Sequence, residues 1–469
     1  MGLRKACGPT AKPTTVYNPP VNDYETSARR AAVELVRVLR DAGQMAYFAG
    51  GCVRDALLGK SPQDYDVATD AKPDRVRELF KHSRYVGEAF GVVLVSLLGD
   101  KQPATWQGEA HPTARDGRWI HTIEVATFRT EWGYADGRRP TGVAFSDAEN
   151  DARRRDFTIN GLFEDPLAAS HEQRIIDHVG GVADLKGRIL RAIGDADERF
   201  GEDYLRLLRA VRFAARLDFR LEAKTKLAIL RHAPQLSRIS RERIGQEVQA
   251  MLTGPRPARC VRLMQRLTLD GPTLNEASQR WPVMTVVRMS RISKQETIAY
   301  PAMLAAWIID RHVHSTGLAA ISLDVFSHHT LPAMLTRWRG ALCLANEERD
   351  ALKHTLAALP EALLWPELRV AKRKRLLARS TWASTWALLR SLQWVGAVMP
   401  IVEQIAKDAP PLFAEGVAPE PLVTGDDLIA IGLRPGRAIG KMLEEIYDAQ
   451  LENAVKTREQ ALETARSAL

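Results

Sequence analysis

The sequence predicts an α/β domain in its first part and a mostly helical remainder. Three short apolar runs in the first part, residues 45–49, 92–98 and 122–128, have the length of buried strands and are bounded by polar or glycine-rich segments. From residue 258 onward the apolar residues recur mostly at helical spacing. Because a chain of 469 residues is too long for one compact core, we expect an elongated, multidomain molecule.

The stretch directly after the first predicted strand carries the parts of a phosphate and metal site. The glycine pair Gly50-Gly51 lets backbone N–H groups approach a triphosphate closely, and Arg54 adds a cation nearby. In an extended strand Asp64 and Asp66 project to the same side, where their oxygens can share divalent cations such as Mg²⁺. This order of strand, glycine turn, helix and carboxylate pair indicates two-metal phosphoryl transfer.

Each of these features alone has a simpler interpretation. A glycine pair is usually a turn, and an Asp-x-Asp sequence is usually a solvated loop. Glu124, between two β-branched residues of a predicted strand, is either a third carboxylate of the same site or an outward-facing strand residue. The sequence alone leaves both interpretations of Glu124 open.

A cationic stripe marks the helix predicted in the segment from residue 200 to residue 217. Arg206, Arg209, Arg212 and Arg216 fall on one face of this helix, and apolar residues such as Leu207 fall on the opposite face. A charged helix face of this kind is usually only solvated. Because this chain also carries a candidate phosphoryl-transfer site, these arginines can alternatively be interpreted as nucleotide contacts.

Asp203 and Arg206 together offer a hydrogen-bond acceptor and a donor suited to two of the four bases. Cytosine and adenine each present an exocyclic amine beside a ring-nitrogen acceptor. Guanine and uracil present a carbonyl and an N–H there instead, which would leave buried polar groups unpaired at a cost of about 1–3 kcal/mol each. The pair therefore predicts selection of C or A without a nucleic-acid template.

Three sequence blocks resemble the class II tRNA nucleotidyltransferase and bacterial poly(A) polymerase family. They are GGCVRDALLG at residues 50–59 with DYD at residues 64–66, RRRDFTING at residues 153–161, and EDYLRLLR at residues 202–209. A fourth segment, residues 423–441, resembles the tRNA-binding tail of the family's tRNA-specific members. The resemblance implies a head domain with the mixed sheet of polymerase-β-like nucleotidyltransferases, followed by an all-α neck, body and tail.

The resemblance also implies roles for individual residues. Asp64 and Asp66 would be catalytic and bind Mg²⁺, with Glu124 as a further candidate, and Asp203 and Arg206 would recognise the base. The remaining nucleotide-binding candidates are Gly51, Arg54, Arg155, Arg209 and Arg212. The implied reaction is addition of C, C and A to the 3′ end of tRNA from CTP and ATP, with release of pyrophosphate.

Three other functions stay open. A poly(A) polymerase would share the same head, but residues 85–91 lack the basic segment associated with the bacterial enzymes of that kind. An enzyme that adds only A or only CC is a second alternative, although the loop at residues 129–140 argues against CC addition alone. The third, from a different class, is a non-catalytic RNA-binding module, against which the intact carboxylates and base-reading residues argue.

We expect five segments along the chain. They are a flexible leader (1–27), a nucleotidyltransferase head (28–170), a helical neck with the base-recognition residues (171–255), a helical body (256–410) and a tRNA-binding tail (411–469). The sequence does not indicate an oligomeric state or a task for the body helices.

Composition is compatible with these expectations. The net charge of +9 and the isoelectric point of about 9.4 suit a polyanionic partner. Four singly placed cysteines and the lack of a membrane-length apolar run predict a cytoplasmic protein without membrane contact. The histidines at 312, 314, 328 and 329 lack matched carboxylates and predict no metal site, and the basic run 371–375 is a solvated helix face or an RNA contact.

Overall fold

The computed structural model describes residues 23–62, 64–86, 91–102, 111–133, 142–170, 173–278, 287–292, 299–312, 330–392 and 398–467. The chain divides into two compact units, Met1–His232 and Ala233–Leu469. Several predictions fall outside the described residues: the first 22 residues of the leader, most of the segment 85–91, the end of the loop 129–140 and three of the histidines (314, 328 and 329). The division into five segments stays a prediction.

The first unit contains a seven-stranded mixed sheet with the strand order β3-β4-β5-β2-β1-β8-β9. β2 and β5 are parallel, and the other neighbouring pairs of this sheet are antiparallel. The strands of the unit are β1 (Ala46–Ala49), β2 (Asp66–Thr69), β3 (Ser83–Tyr85), β4 (Val92–Lys101), β5 (Arg118–Thr127), β6 (Arg129–Trp132), β7 (Gly142–Phe145), β8 (Leu162–Glu164), β9 (Ile175–Asp177), β10 (Ile189–Leu190) and β11 (Arg220–Leu221). This sheet confirms the predicted α/β head.

Eight helices of the first unit are described. They are α1 (Asp23–Asp41), α2 (Gly51–Leu57), α3 (Pro73–Leu79), α4 (Ala148–Arg153), α5 (Gly181–Gly187), α6 (Ala196–Glu202), α7 (Leu205–Leu217) and α8 (Ala223–His232). α1 begins within the predicted leader, and its apolar face packs on β1, β4 and β5. The segment predicted as a helical neck also contributes β9 to the sheet and the short parallel pair β10–β11.

The three predicted strands of the head are confirmed, and two of them are longer than predicted. β4 and β5 continue as an antiparallel pair as far as Lys101 and Arg118, with a register shift after Leu98. The polar, breaker-rich interval 99–119, which the sequence predicts to be an expanded loop, therefore begins and ends as strand. Its polar composition did not indicate paired strands, because the backbone hydrogen bonds between two strands do not require apolar side chains.

The second unit is helical over its described residues. Its α-helices are α9 (Arg241–Leu252), α10 (Pro257–Arg266), α11 (Asp270–Leu274), α12 (Val287–Ile292), α13 (Tyr300–His312), α14 (Thr330–Leu342), α15 (Asn346–Leu363), α16 (Val370–Leu377), α17 (Trp382–Ser391), α18 (Met399–Glu415), α19 (Gly425–Ala430), α20 (Arg437–Leu451) and α21 (Arg458–Arg466). None of the helices in the described part of the chain is both long and apolar enough to span a bilayer. This helical remainder confirms the second half of the predicted fold class.

The basic run 371–375 ties helices together. Arg373 pairs with Asp408 at 3.0 Å, the buried Lys374 pairs with Glu415 at 3.0 Å, and Arg375 pairs with Asp448 at 2.6 Å. These contacts join α16 to α18 and α20. The interpretation as a solvated face does not predict these ion pairs, because the carboxylate partners lie 35 to 73 residues further along the chain. The RNA contact of this run stays a prediction.

A close backbone contact in the first unit joins α5 to the short 3₁₀ helix Thr158–Asn160. The carboxylate of Asp177 accepts hydrogen bonds from the N–H groups of Val179, Gly181 and Val182, and so holds the start of α5. Gly181 then lies against the Thr158 carbonyl, where a Cβ atom would be only 2.2 Å from the carbonyl oxygen. The second sequence block can approach the helix only because residue 181 has no side chain.

We expect Gly181→Ala to lower the free energy of unfolding by about 1–3 kcal/mol, because both partners in the contact are backbone and must separate. Gly201→Ala is the matched control, since a Cβ there meets no atom within 4 Å and alanine favours a helix by about 0.5–1 kcal/mol. Chemical denaturation of the two variants and the wild type measures both effects. Equal stability of Gly181→Ala and the wild type would contradict the close contact.

Candidate active site

Two of the three candidate carboxylates lie side by side on neighbouring strands. β2 pairs with β5 in parallel, and Asp66 is the register partner of Glu124. Register partners project to the same face of a sheet, and both side chains are exposed on it. Glu124 is therefore an outward-facing strand residue that lies next to Asp66, and its membership of the metal site stays a prediction.

Asp64 is positioned differently from the prediction. β2 begins at Asp66, and Asp64 occupies a bend before the strand rather than the strand itself. Its side chain is exposed, and its charge still acts on Asp66. Asp64 and Asp66 are thus brought near each other by the bend that precedes β2. The alternation of side chains along an extended strand, which the sequence predicted, does not apply to Asp64.

Negative charge accumulates at Asp66. Burial among protein atoms raises its pKa to about 6, the charges of Glu124 and Asp64 act in the same direction, and Arg155 opposes them. The carboxylate is nevertheless open to solvent on its outer side. A divalent cation would relieve this repulsion, and carboxylate oxygens are ligands that Mg²⁺ prefers. Among the described residues, however, no three His, Cys, Asp or Glu side chains are grouped as a ready-made metal site.

The glycine turn brings Arg155 close to the start of α2. Gly50 has φ of 69°, a left-handed conformation that favours glycine, and its N–H donates to the Leu162 carbonyl at 3.0 Å. A Cβ on Gly50 would lie 2.8 Å from Nη1 of Arg155. At Gly51 the corresponding atom would meet only Arg54, at 3.8 Å. The first glycine is therefore needed for the approach of Arg155, and the second leaves the backbone open.

Arg54 is an internal link rather than an open cation. Its side chain is only 4% exposed, and it donates to Asn160 Oδ1 at 2.7 Å and to Asp55 at 2.8 Å. These bonds connect the first sequence block to the second. The nucleotide-binding role of Arg54 stays a prediction, and the structure assigns it a structural task that sequence reasoning missed.

The second block is organised by Asp151, which sequence reasoning also missed. Asp151 is buried and pairs with Arg154 at 2.6 Å and with Arg155 at 2.9 Å, while Arg155 also donates to the Asn160 carbonyl at 3.1 Å. Burial would raise the pKa of Asp151, but the two arginines outweigh it and hold that pKa below its usual value. Asp151 thereby holds both arginines in place, and Arg155 acts electrostatically on Asp66.

The two candidate base-reading residues lie where α6 ends and α7 begins. Asp203 follows α6, and its carboxylate accepts from the Leu205 N–H at 3.0 Å, at the start of α7. Arg206 donates to the carboxylate of Glu202 and, at 2.8 Å, to the Arg199 carbonyl. A carboxylate and a guanidinium are thus held at one end of a rigid helix.

The cationic stripe of α7 faces carboxylates of the same unit. Arg209 pairs with the buried Asp156 at 2.8 Å, and Arg216 lies 3.9 Å from Asp55. Burial alone would raise the pKa of Asp156, but Arg209 leads the interactions that lower it below its usual value. Arg212 lies over the ring of Phe213, with 4.7 Å from guanidinium to ring centre. Asp156 lies within the second sequence block, and this position was the only indication in the sequence of its role as the partner of Arg209.

We expect Gly50→Ala to displace Arg155 and to weaken nucleoside triphosphate binding about tenfold, because the new Cβ would lie only 2.8 Å from Nη1 of its guanidinium. Gly43→Ala is the matched control. Gly43 also has a left-handed φ, of 80°, but no atom lies within 4 Å of its Cβ position. Both substitutions place a Cβ on a residue with positive φ, but only Gly50→Ala brings that Cβ close to Arg155. Nucleotide titration by calorimetry distinguishes them, and equal affinities would contradict the contact between Gly50 and Arg155.

Comparison with known proteins places this site in a family. Residues 46–191 match the family described as the poly A polymerase head domain, and residues 218–274 match the probable RNA and SrmB-binding site of polymerase A. A CCA-adding enzyme of Lactococcus lactis subsp. cremoris is 31% identical over 449 residues, which cover 92% of this chain and 94% of the relative. A CCA-adding enzyme of Lactiplantibacillus plantarum is 34% identical over 330 residues, covering 70% and 71%.

A solved structure agrees with these relatives. The CCA-adding enzyme of Bacillus stearothermophilus, determined in complex with CTP, has a TM-score of 0.65 and 26% identity, with 94% of this chain and 98% of that chain covered. For several other curated CCA-adding enzymes the match spans about half of their length. The sheet, the paired carboxylates and these similarities together show that the chain belongs to the family of CCA-adding nucleotidyltransferases, which share their head domain with the poly(A) polymerases.

Proposed function

We propose that this enzyme adds C, C and A to the 3′ end of tRNA, using CTP and ATP and no nucleic-acid template. The observation that carries the proposal is the contact between the base-reading helix and the second sequence block. Arg206 donates to the backbone carbonyl of Arg154 at 3.5 Å. The next residue along the chain, Arg155, acts electrostatically on Asp66. A nucleotide with its base at Arg206 would extend its phosphates toward the carboxylates. The curated names of the relatives support the same activity.

Base selection would follow from hydrogen bonding at Asp203 and Arg206. The Asp203 carboxylate accepts from the exocyclic amine of cytosine or adenine, and Arg206 donates to the adjacent ring nitrogen. Guanine or uracil would leave both groups without a partner, at about 1–3 kcal/mol each. Glu202 already orients the Arg206 guanidinium before any base arrives.

The reaction would take place over the open face of β2 and β5. The 3′-hydroxyl of the tRNA attacks the α-phosphate in line, and pyrophosphate leaves. Arg155 and Arg209, which pair with Asp151 and Asp156 in the absence of nucleotide, would compensate the charge of the triphosphate. Asp64 and Asp66 would hold Mg²⁺, with Glu124 beside them. Two bound ions would supply Lewis-acid stabilisation at the attacking and departing oxygens.

The decisive experiment uses tRNA transcripts that lack A, CA or CCA, each with one labelled nucleotide at a time. We expect C to be added only to the transcripts that lack C, A to be added only after CC, and addition to stop at CCA. Unlimited A addition would identify a poly(A) polymerase. Arrest after CC, or addition of A alone, would identify a partial enzyme, and no addition would identify an RNA-binding module.

We expect Asp66→Asn and Asp64→Ala to reduce incorporation by on the order of 10²–10³-fold, because removal of a metal-binding carboxylate forfeits several kcal/mol of transition-state stabilisation. Binding of tRNA should change less than about twofold, since neither change removes a cation. Asp100→Asn serves as the control, because Asp100 forms a half-exposed surface pair with Arg30. Single-turnover incorporation and a filter-binding assay measure the two quantities. Incorporation by Asp66→Asn at the wild-type rate would exclude Asp66 as a ligand.

A further inference from the structure

We propose that Arg199 is a positioning residue that keeps the base-reading and phosphate-binding parts of the site in one arrangement, and thereby sustains the selection of C and A. The inference rests on the proposed function. Arg199 lies on α6, and its side chain is 14% exposed. It was not among the residues that the sequence analysis singled out.

Arg199 holds the end of α4. Its Nη2 donates to the Arg153 carbonyl at 2.7 Å and its Nη1 to the Arg154 carbonyl at 3.1 Å. Arg153 is the last residue of α4, and Arg154 is its C-cap. Carbonyls at this end of a helix have no intrahelical donor and carry partial negative charge, which a guanidinium satisfies. The direction in which the chain leaves α4 toward Arg155 therefore depends on Arg199.

Besides a bond from Nε to the Ile193 carbonyl at 3.3 Å, the other contacts of Arg199 lead to the base-reading residues. Nη1 also donates to Glu202 Oε2 at 2.8 Å, and the same oxygen accepts from Arg206. The backbone carbonyl of Arg199 accepts a second bond from Arg206 at 2.8 Å. The Arg199 side chain is thus bonded both to the segment that precedes Arg155 and to the Glu202 carboxylate, which orients Arg206.

This arrangement requires a guanidinium. Its planar fork offers several N–H groups in fixed directions, so that two successive carbonyls and one carboxylate are bonded at once. A lysine at the same position keeps the charge but presents one ammonium on a flexible stem. Arg199→Lys would therefore preserve the local charge balance and lose the fixed relation between α4 and the start of α7.

The test compares nucleotide selection on tRNA lacking CCA. For Arg199→Lys we expect the ratio of kcat/KM for CTP to that for UTP to fall at least about tenfold, because Arg206 and Arg155 no longer hold a fixed separation. The KM for tRNA should stay close to the wild-type value. Arg231→Lys is the matched control, since Arg231 is an exposed arginine of α8 whose ion pair is with Asp197 of α6, the helix that also carries Arg199. It should keep the wild-type ratio.

The outcomes separate the inference from the proposed function. A wild-type enzyme that does not prefer C and A would overturn both. A selective wild type together with an equally selective Arg199→Lys would overturn the inference alone, even if its rate fell, because a merely structural residue changes the rate without changing selection. If Arg199→Lys does not fold, Arg199→Gln, whose amide can still donate to one carbonyl, repeats the measurement. Failure of both variants to fold would overturn the positioning role.

Discussion

The candidate site depends on the pairing of crowded arginines with a few carboxylates. Triphosphate binding needs concentrated positive charge, but two like charges 4 Å apart repel by about 4 kcal/mol at the effective dielectric of a protein surface. In the absence of nucleotide, acidic side chains provide the compensation. The pairs are Arg54 with Asp55, Arg154 and Arg155 with Asp151, Arg209 with Asp156, and Arg199 and Arg206 with Glu202. The Arg209–Asp156 pair joins the second sequence block to α7, and hydrogen bonds from Arg54 to Asn160 and from Arg199 to the Arg153 and Arg154 carbonyls join it to α2 and α6.

Nucleotide binding at such a site is an exchange of partners. An arriving phosphate must compete with the carboxylate that already neutralises each arginine, and the competition is easier where the guanidinium is accessible. Arg209 is 34% exposed and Arg155 20%, whereas Arg54 is 4% exposed and bonded on both sides. The larger exposed fractions of Arg209 and Arg155 favour these two residues as phosphate ligands, and the burial of Arg54 favours a structural role.

The sequence was informative where a signal is local. Strand length, the glycine turn, the carboxylates and the arginine stripe each lie within a few residues, so their types and spacing carry the information. The position of Glu124 next to Asp66 depends on strand order, which no local pattern encodes. The same limit applies to Lys374, whose partner Glu415 is distant along the chain, and to Arg199, whose partners are backbone carbonyls that any residue type provides.

The geometry of the carboxylates depends in turn on the apolar side of the sheet. Val67 and Val125, which follow Asp66 and Glu124 in register, are 1% exposed, and α1 packs on the sheet at β1, β4 and β5. A slip of β2 by one residue would expose Val67 and bury the charge of Asp66, so burial of the valines fixes the register. The placement of the candidate carboxylates is therefore set by hydrophobic packing, because Asp66 and Glu124 project to one face of the sheet and the buried Val67 and Val125 project to the other.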